Sequence, residues 1–521
     1  LLRGFWVTQL RFLLLLRVFV RKKKNKSGVI SVQVITKVNG KSKLVKTLGS
    51  SNDPGRLEEL VETGYHYIKK YKGQQVMDFS DTKSVYKSVF SSISSHTEIG
   101  TEALLGGIFN EIGFHKIKDS LFKYLVYSRL IQPVSKLKTT EYLFLYKEIE
   151  ITTQQIYRYL DKLHSTQKEL VQQISYEHTR KILKNDIRVV FYDVTTLYFE
   201  IDQEDELRKT GFSKEGKHQN PQIVLGLLVS KHGYPLAYEI FEGNKFEGHT
   251  MLPVIDAFKE KYNLEQLVVI ADSGLLSKSN VETLQEKGYE FVLGARIKNE
   301  THRVKEKILA LDLRHGQSAV IRKGNLKLII TYSDDRAKKD RYNREKGLRK
   351  LEKQIQRGRL TKANINNRGY NKFLKLDGEI TVAIDTEKLQ QDTRWDGLKG
   401  YITNAKLNKD QIIENYHHLW QIEKAFRVSK SDLRIRPIYH RLQRRIEAHI
   451  CISFVAYKVY KELERQLYEK KAEISVNKAI EIAKTIYQVT AVAPDKTKIE
   501  HLLITNEKQK TLIELFPENF G

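Results

Sequence analysis

Three carboxylates stand where acids commonly do chemistry. Asp193 closes the apolar run Ile187-Arg-Val-Val-Phe-Tyr, Asp272 closes Gln266-Leu-Val-Val-Ile-Ala, and Glu423 lies in the stretch Tyr416–Lys430. The first two runs are short and almost wholly apolar, which predicts buried strands, with Gly274 turning the chain after the second. In open α/β sheets, functional groups gather at the carboxyl ends of strands. Taken singly, a strand-ending aspartate is more often a turn former or helix cap. Two such aspartates with one helix glutamate form a set of hard oxygen donors, the kind that holds Mg²⁺ or Mn²⁺.

The stretch around Glu423 reads as one helix. Residues advance by about 100° each, so a step of seven returns to nearly the same face. Tyr416, Glu423 and Lys430 are spaced by sevens, and Arg427 falls one turn beyond Glu423. One face is therefore expected to carry a phenol, a carboxylate and two cations. That array suits a phosphate backbone held beside a metal-binding acid. The plain alternative is a solvated face with an i,i+4 Glu–Arg pair.

With these residues in view, the chain resembles the DDE transposases of bacterial insertion sequences, in the subgroup marked by a Tyr-x2-Arg-x3-Glu-x6-Lys motif. Asp193 in Phe-Tyr-Asp-Val-Thr-Thr-Leu-Tyr matches the first acid, Asp272 in Val-Val-Ile-Ala-Asp-Ser-Gly the second, and Glu423 in Trp-Gln-Ile-Glu-Lys-Ala-Phe-Arg the third. Tyr416 and Lys430 fall where the motif expects them, whereas its arginine position holds Leu419. His417, His418 and Arg427 are the alternatives for the missing phosphate contact. The resemblance implies an RNase H-like α/β core, Mg²⁺ with Mn²⁺ as substitute, and two ions per site. Asp193 is then expected to bridge both ions, with Asp272 and Glu423 holding one each. Tyr416, Arg427 and Lys430 are expected to contact DNA.

Composition agrees with a polyanionic partner. Lys and Arg number 90 against 63 Asp and Glu, a formal net charge of +27. Such an excess favours nucleic acid through counterion release and makes binding salt-dependent. The excess is clustered: residues 336–375 hold 15 basic and 3 acidic side chains, as a helical arm or a disordered loop. The single cysteine, Cys451, excludes an intrachain disulfide and a cysteine-rich zinc site, as expected for a bacterial cytoplasmic protein.

The chain is long enough for three or four units. Residues 1–18 contain Phe12-Leu-Leu-Leu-Leu16, too short and too interrupted by Arg11 and Arg17 to span a membrane, and read as an upstream extension. A β-hairpin around Asn39-Gly40 is expected within 19–55, and a helical region, a candidate reader of DNA ends, over 56–185. The catalytic core is expected over 186–298 and again over 406–470, with 471–521 carrying little signal. The 151-residue step from Asp272 to Glu423 is too long for a plain connection, so 299–405 is expected to be a mostly β insertion bearing the basic arm.

The resemblance implies cut-and-paste DNA transposition by a DNA-dependent homodimer acting on double-stranded element ends and target. No membrane and no nucleotide cofactor are expected. A nuclease that cuts without joining and an inactive DNA-binding remnant are the open alternatives.

Overall fold

The computed structural model describes residues 17–38, 40–71, 89–213, 216–366, 369–377, 381–493 and 495–520. The extension expected over 1–18 therefore lies almost wholly outside the described residues, as does Asn39 of the predicted hairpin turn. Two compact units are distinguished: residues 1–94 with 491–498, and residues 95–490 with 499–521.

In the first unit, β1 (Arg17–Lys24), β2 (Ile30–Val38) and β3 (Lys41–Ser51) form an antiparallel sheet in the order β1-β2-β3. The predicted hairpin is β2–β3. Its partner β1 begins inside the segment read as an extension, and Val18 is buried against Val34 and against Ile68 of α1 (Pro54–Tyr71). Alternation explains that burial, because Val18 and Val20 share the face turned to the helix.

The second unit begins with helices α2 (Gly100–Ile112), α3 (Ser120–Ile131), α4 (Lys136–Lys147), α5 (Thr153–Lys162) and α6 (Lys168–Ile182). The strands β4 (Val189–Tyr198), β5 (Gln222–Ser230), β6 (Pro235–Glu242), β7 (Val268–Ala271) and β8 (Glu290–Ala295) follow, with α7 (Met251–Lys261) and α8 (Lys278–Glu286) between them. Next come α9 (His302–Leu309), β9 (Ser318–Lys323), β10 (Leu326–Tyr332) and α10 (Asp334–Gln356). The small hairpin β11 (Leu374–Asp377) and β12 (Thr381–Ile384), α11 (Thr386–Thr393) and β13 (Leu398–Thr403) lead to α12 (Lys409–His417), α13 (Trp420–Ser431) and α14 (Gln443–Glu469). Helices over Val476–Ala483 and Glu507–Leu515 close the unit, the latter burying Leu512.

One eight-stranded mixed sheet organises this unit, in the order β9-β10-β13-β8-β7-β4-β5-β6. β4 runs parallel to β7 and β7 to β8, while β5, β6 and β13 pair antiparallel. Both faces are covered. Tyr192, Val269 and Phe291 point into a core with Met251, Ile255 and Leu284 of α7 and α8. Phe191, Ile270 and Val292, one residue out of phase, point into the larger core with Ile422, Phe426 and most of α14. Near-continuous apolar strands follow from this two-sided burial. α14 is buried along most of its length, and truncating its fully buried Leu463 to Ala is expected to cost about 2–5 kcal/mol.

The interval 299–405 departs from the mostly β expectation. It holds the 23-residue helix α10 with two shorter helices, and β9, β10 and β13 extend the main sheet instead of forming a separate β unit. The basic run is thus a helix over its first half. Ser333 caps it by accepting from the Arg336 amide, and Asp334 and Asp335 sit favourably at its positive end. Among the described residues, no helix is long and apolar enough to cross a membrane.

Candidate active site

Register brings the two aspartates together. β4 and β7 pair in parallel through Val190 with Val269, Phe191 with Ile270 and Tyr192 with Ala271. One further step sets Asp193 level with Asp272. Alternation gives Asp193 the face of Phe191, the face on which α13 packs. Asp193 does not end its strand, as the sequence reading had it. β4 continues to Tyr198 because β5 still pairs with it, Asp193 lying opposite Leu227; only the parallel neighbour β7 stops.

The next strand makes room for a phenol. Tyr416 of α12 reaches over β8 and donates its hydroxyl to Asp272 Oδ1 at 3.0 Å. Gly294 permits this approach, since a Cβ there would lie 2.5 Å from the Tyr416 hydroxyl and 2.9 Å from the Ser273 nitrogen. The Tyr416 ring rests on Tyr401 of β13, the register partner of Gly294, with centroids 4.5 Å apart. Burial raises the Tyr416 phenol pKa, and the charge of Asp272 raises it further, so the hydroxyl stays a donor. Arg296 secures the turn from the other side, its guanidinium donating to the Ser273 carbonyl at 3.1 Å and the Gly274 carbonyl at 3.4 Å.

The single helix expected to carry Tyr416, Glu423 and Lys430 is broken in two, although the Glu423 charge still reaches the Tyr416 phenol. The chain breaks at His418–Leu419, where the amides of Leu419, Gln421 and Ile422 bond three residues back, not four. This tightening ends α12 and restarts the chain as α13. Tyr416 is consequently buried and holds Asp272, whereas Glu423 stands exposed in the first turn of α13, where the helix dipole favours a carboxylate. Arg427 is exposed one turn further on, and Lys430 is half-buried near the helix end. Leu419, at the position expected to be arginine, packs into the core with Ile422 and is 7% exposed. The substitution thus follows the direction in which this position points. His417 lies beside Lys399, and partial burial together with that ammonium lowers its pKa.

Lys399 was missed by the sequence reading. On β13 it shares parity with Tyr401, and its Nζ lies 4.6 Å from the Tyr416 ring centroid and 5.5 Å from that of Tyr401. Burial and the nearby Arg336 lower its pKa, while Asp272 and Glu423 pull it upward, so both carboxylates act on this ammonium. In sequence Lys399 is one lysine among many, and only the strand pairing reveals its place.

The donor chemistry of Asp193, Asp272 and Glu423 fits a hard divalent cation. Among the described residues, however, no three His, Cys, Asp or Glu side chains lie close enough to share one ion in this arrangement.

The wider comparison decides the family. The model of the transposase DDE domain matches residues 184–458, more than half of the chain. This chain belongs to the DDE transposase family. The matched segment opens just before β4 and closes within α14, so all three acids of this transposase fall inside it. Among solved structures it is similar to the piggyBac transposase synaptic complex with hairpin DNA, at 10% identity and a TM-score of 0.37, over 76% of this chain and 77% of that one. It is also similar to the Mos1 mariner paired-end complex with Mn, at 13% identity and a TM-score of 0.15, over 30% and 54% of the two chains. No curated protein matches it.

Proposed function

We propose that this transposase cuts and joins double-stranded DNA at the ends of an insertion sequence, with Asp193, Asp272 and Glu423 as its catalytic acids. The observation that carries the reading is the parallel pairing of β4 with β7, which runs to Tyr192 and Ala271, the residues just before Asp193 and Asp272, in the sheet packed by the Glu423 helix. The strand order β6-β5-β4-β7-β8, with its antiparallel hairpins followed by parallel neighbours, supports an RNase H-like core extended by β13, β10 and β9. Helices covering both faces of one mixed sheet agree with that reading.

The three acids would hold Mg²⁺ or Mn²⁺, two ions supplying activation of the attacking oxygen and stabilisation of the leaving one. In the first reaction a water oxygen attacks the phosphorus at the element end. The P–O3′ bond breaks and the departing 3′ oxygen takes up a proton. In the second, that 3′-hydroxyl attacks a target phosphodiester, a new P–O3′ bond forms, and the target's own 3′ oxygen leaves. Bond count is conserved throughout, so neither ATP nor a covalent enzyme intermediate is required. Tyr416 orients Asp272 from the protein side, and Arg427 and Lys430 on α13 place positive charge along the approaching backbone. The helical region before β4 and the basic helix α10 are assigned to DNA contact, and two copies to paired ends.

The test is a Mg²⁺-dependent assay on a plasmid carrying the gene's own flanking DNA. Discrete cuts at inverted ends, followed by joining to a target and lost in Asp272→Asn, are the expected result. Cutting without joining would replace the proposal by a nuclease, and specific binding without cutting by an inactive remnant.

A further inference from the structure

We propose that Lys399 grips a non-bridging oxygen of the DNA phosphate at or next to the point of cleavage, supplying from β13 the cation that the helix position of Leu419 does not. This rests on the catalytic reading above and assigns a further residue to it. Three observations meet at this side chain.

The first is position. Lys399 lies on β13 just beyond the Gly400–Ala295 pair, at the carboxyl end of β8, and it shares the face of Tyr401. Its Nζ sits over the Tyr416 ring, whose hydroxyl holds Asp272. The second is an incomplete set of partners. Among the described residues, the ammonium rests on two aromatic faces, at 4.6 and 5.5 Å, and makes no ion pair or hydrogen bond. An ammonium has three donors, and a π-face satisfies none of them as an anionic oxygen does. The third is a rigid mount. α10 is fastened to the segment before Lys399 by the Arg344–Asp396 pair at 2.5 and 2.6 Å, by the Gly397 amide on Asp340 at 3.2 Å, and by Arg336 on the Leu398 carbonyl at 3.2 Å. A cation held this way is pre-positioned, the condition for contacting a phosphate at low entropic cost. Beside it, Arg296, Arg336, Tyr370 and Trp395 line an open cleft of about 690 Å³, shared with Asp340, Asp392 and Asp396, which pair with Arg336, Lys298, Lys372 and Arg344.

A purely structural role is the competing account, since Lys399 also clips two tyrosines together. Lys399→Met separates the two, because it keeps an apolar stem on the rings and removes only the charge. The substrate is a flanking-DNA duplex that the wild-type protein cuts. Expected are unchanged melting temperature, unchanged binding of the duplex, cleavage slowed on the order of 10- to 100-fold in kcat, and recovery of most of that loss in Lys399→Arg. A duplex with one methylphosphonate at the cleavage-site phosphate, or at either neighbour, supplies the decisive readout. At one of these three positions the variant and the wild type should cleave at the same reduced rate, because the charge that Lys399 meets has been removed. Equal cleavage of the unmodified duplex by Lys399→Met overturns the proposal, as does a penalty that persists with every methylphosphonate. If the wild type cuts no flanking duplex, the catalytic reading falls and this inference falls with it.

Discussion

A tyrosine, a carboxylate and a lysine come together twice in the second unit. At the carboxyl end of a central strand, Tyr416 donates to Asp272 at 3.0 Å and Lys399 lies 4.6 Å from the Tyr416 ring centroid. In the core, Tyr234 donates to Glu462 at 2.7 Å and Lys458 lies 4.5 Å from the Tyr234 ring centroid. The surroundings are opposite. Glu462 is fully buried and also accepts from Arg465 and Gln466, while Lys458 donates to the Ser175 carbonyl and the Thr179 hydroxyl. Asp272 and Glu423 are exposed. Contact chemistry alone therefore does not mark a site. A carboxylate whose lone pairs are filled from within stabilises the fold, and one left open at the end of a sheet can take a ligand.

Substituting the acids should separate the two trios most sharply. Asp272→Asn is expected to lower cleavage by at least about 10³-fold with melting temperature and DNA binding unchanged. Glu462→Ala should cost roughly 3–5 kcal/mol, because it leaves Tyr234 without its acceptor and the buried Lys458 without its counter-charge. Its remaining folded fraction should cleave normally. Denaturant titration beside a single-turnover cleavage assay reads both effects. Unfolding by Asp272→Asn would erase the distinction.

Gly294→Ala comes next. Its methyl would collide with the Tyr416 hydroxyl and the Ser273 backbone, so Tyr416 must leave Asp272 or the turn must shift. Overpacking of this kind costs about 1–3 kcal/mol. Cleavage should fall along with stability, whereas core substitutions around Glu462 should lower stability alone. Gly294→Ala with wild-type cleavage would show that Asp272 needs no orientation by Tyr416.

How far these features were legible depends on whether local pattern or tertiary pairing decides them. Asp193, Asp272 and Glu423 stood out as candidates because apolar runs precede the two aspartates and a seven-residue spacing surrounds the glutamate. The continuation of β4 was also readable in Val194-Thr-Thr-Leu-Tyr198, which is rich in β-branched residues. The break at His418–Leu419 was not, since no proline or glycine marks it and its cause is a local change in hydrogen bonding. α10 was partly concealed, because its charged surface leaves few apolar residues to show a helical period. Lys399, between Leu398 and Gly400, looks like any solvated strand lysine until β13 is paired with β8.

The buried trio should also set part of the pH dependence of stability. Burial, and then the Lys458 ammonium, hold His178 near a pKa of about 3, with Glu462 opposing and Arg465 and Lys181 adding to the depression. An unfolded histidine titrates near about 6.5, so the unfolded chain takes up this proton first. Stability is then fully present above about pH 6.5 and is lost as pH falls toward 3, by about 2 kcal/mol at pH 5 for this one group. Glu462 acts in the same direction. Burial works to raise its pKa, but the bonds from Arg465 and Tyr234 prevail and lower it, so its contribution too is lost on acidification. His178→Gln should flatten the stability profile between pH 7 and 5, measured by urea midpoints at each pH. An unchanged slope would show that His178 is not buried as a neutral ring.

Removing the two tyrosine hydroxyls gives the most direct comparison. Tyr234→Phe leaves Glu462 short of one donor in a site water does not reach, and bonds to charged acceptors contribute about 1.5–3 kcal/mol. Tyr416→Phe removes the same kind of bond from an exposed acceptor. Water can replace the lost donor there, so the change in stability should be within about 0.5 kcal/mol. Its effect should appear instead in cleavage, as a several-fold fall in kcat with unchanged DNA binding, because Asp272 is then free to turn. Equal stability losses in the two variants would mean that Asp272 is as closed off as Glu462, and the distinction between a filled and an open carboxylate would fail at the bond on which it is built.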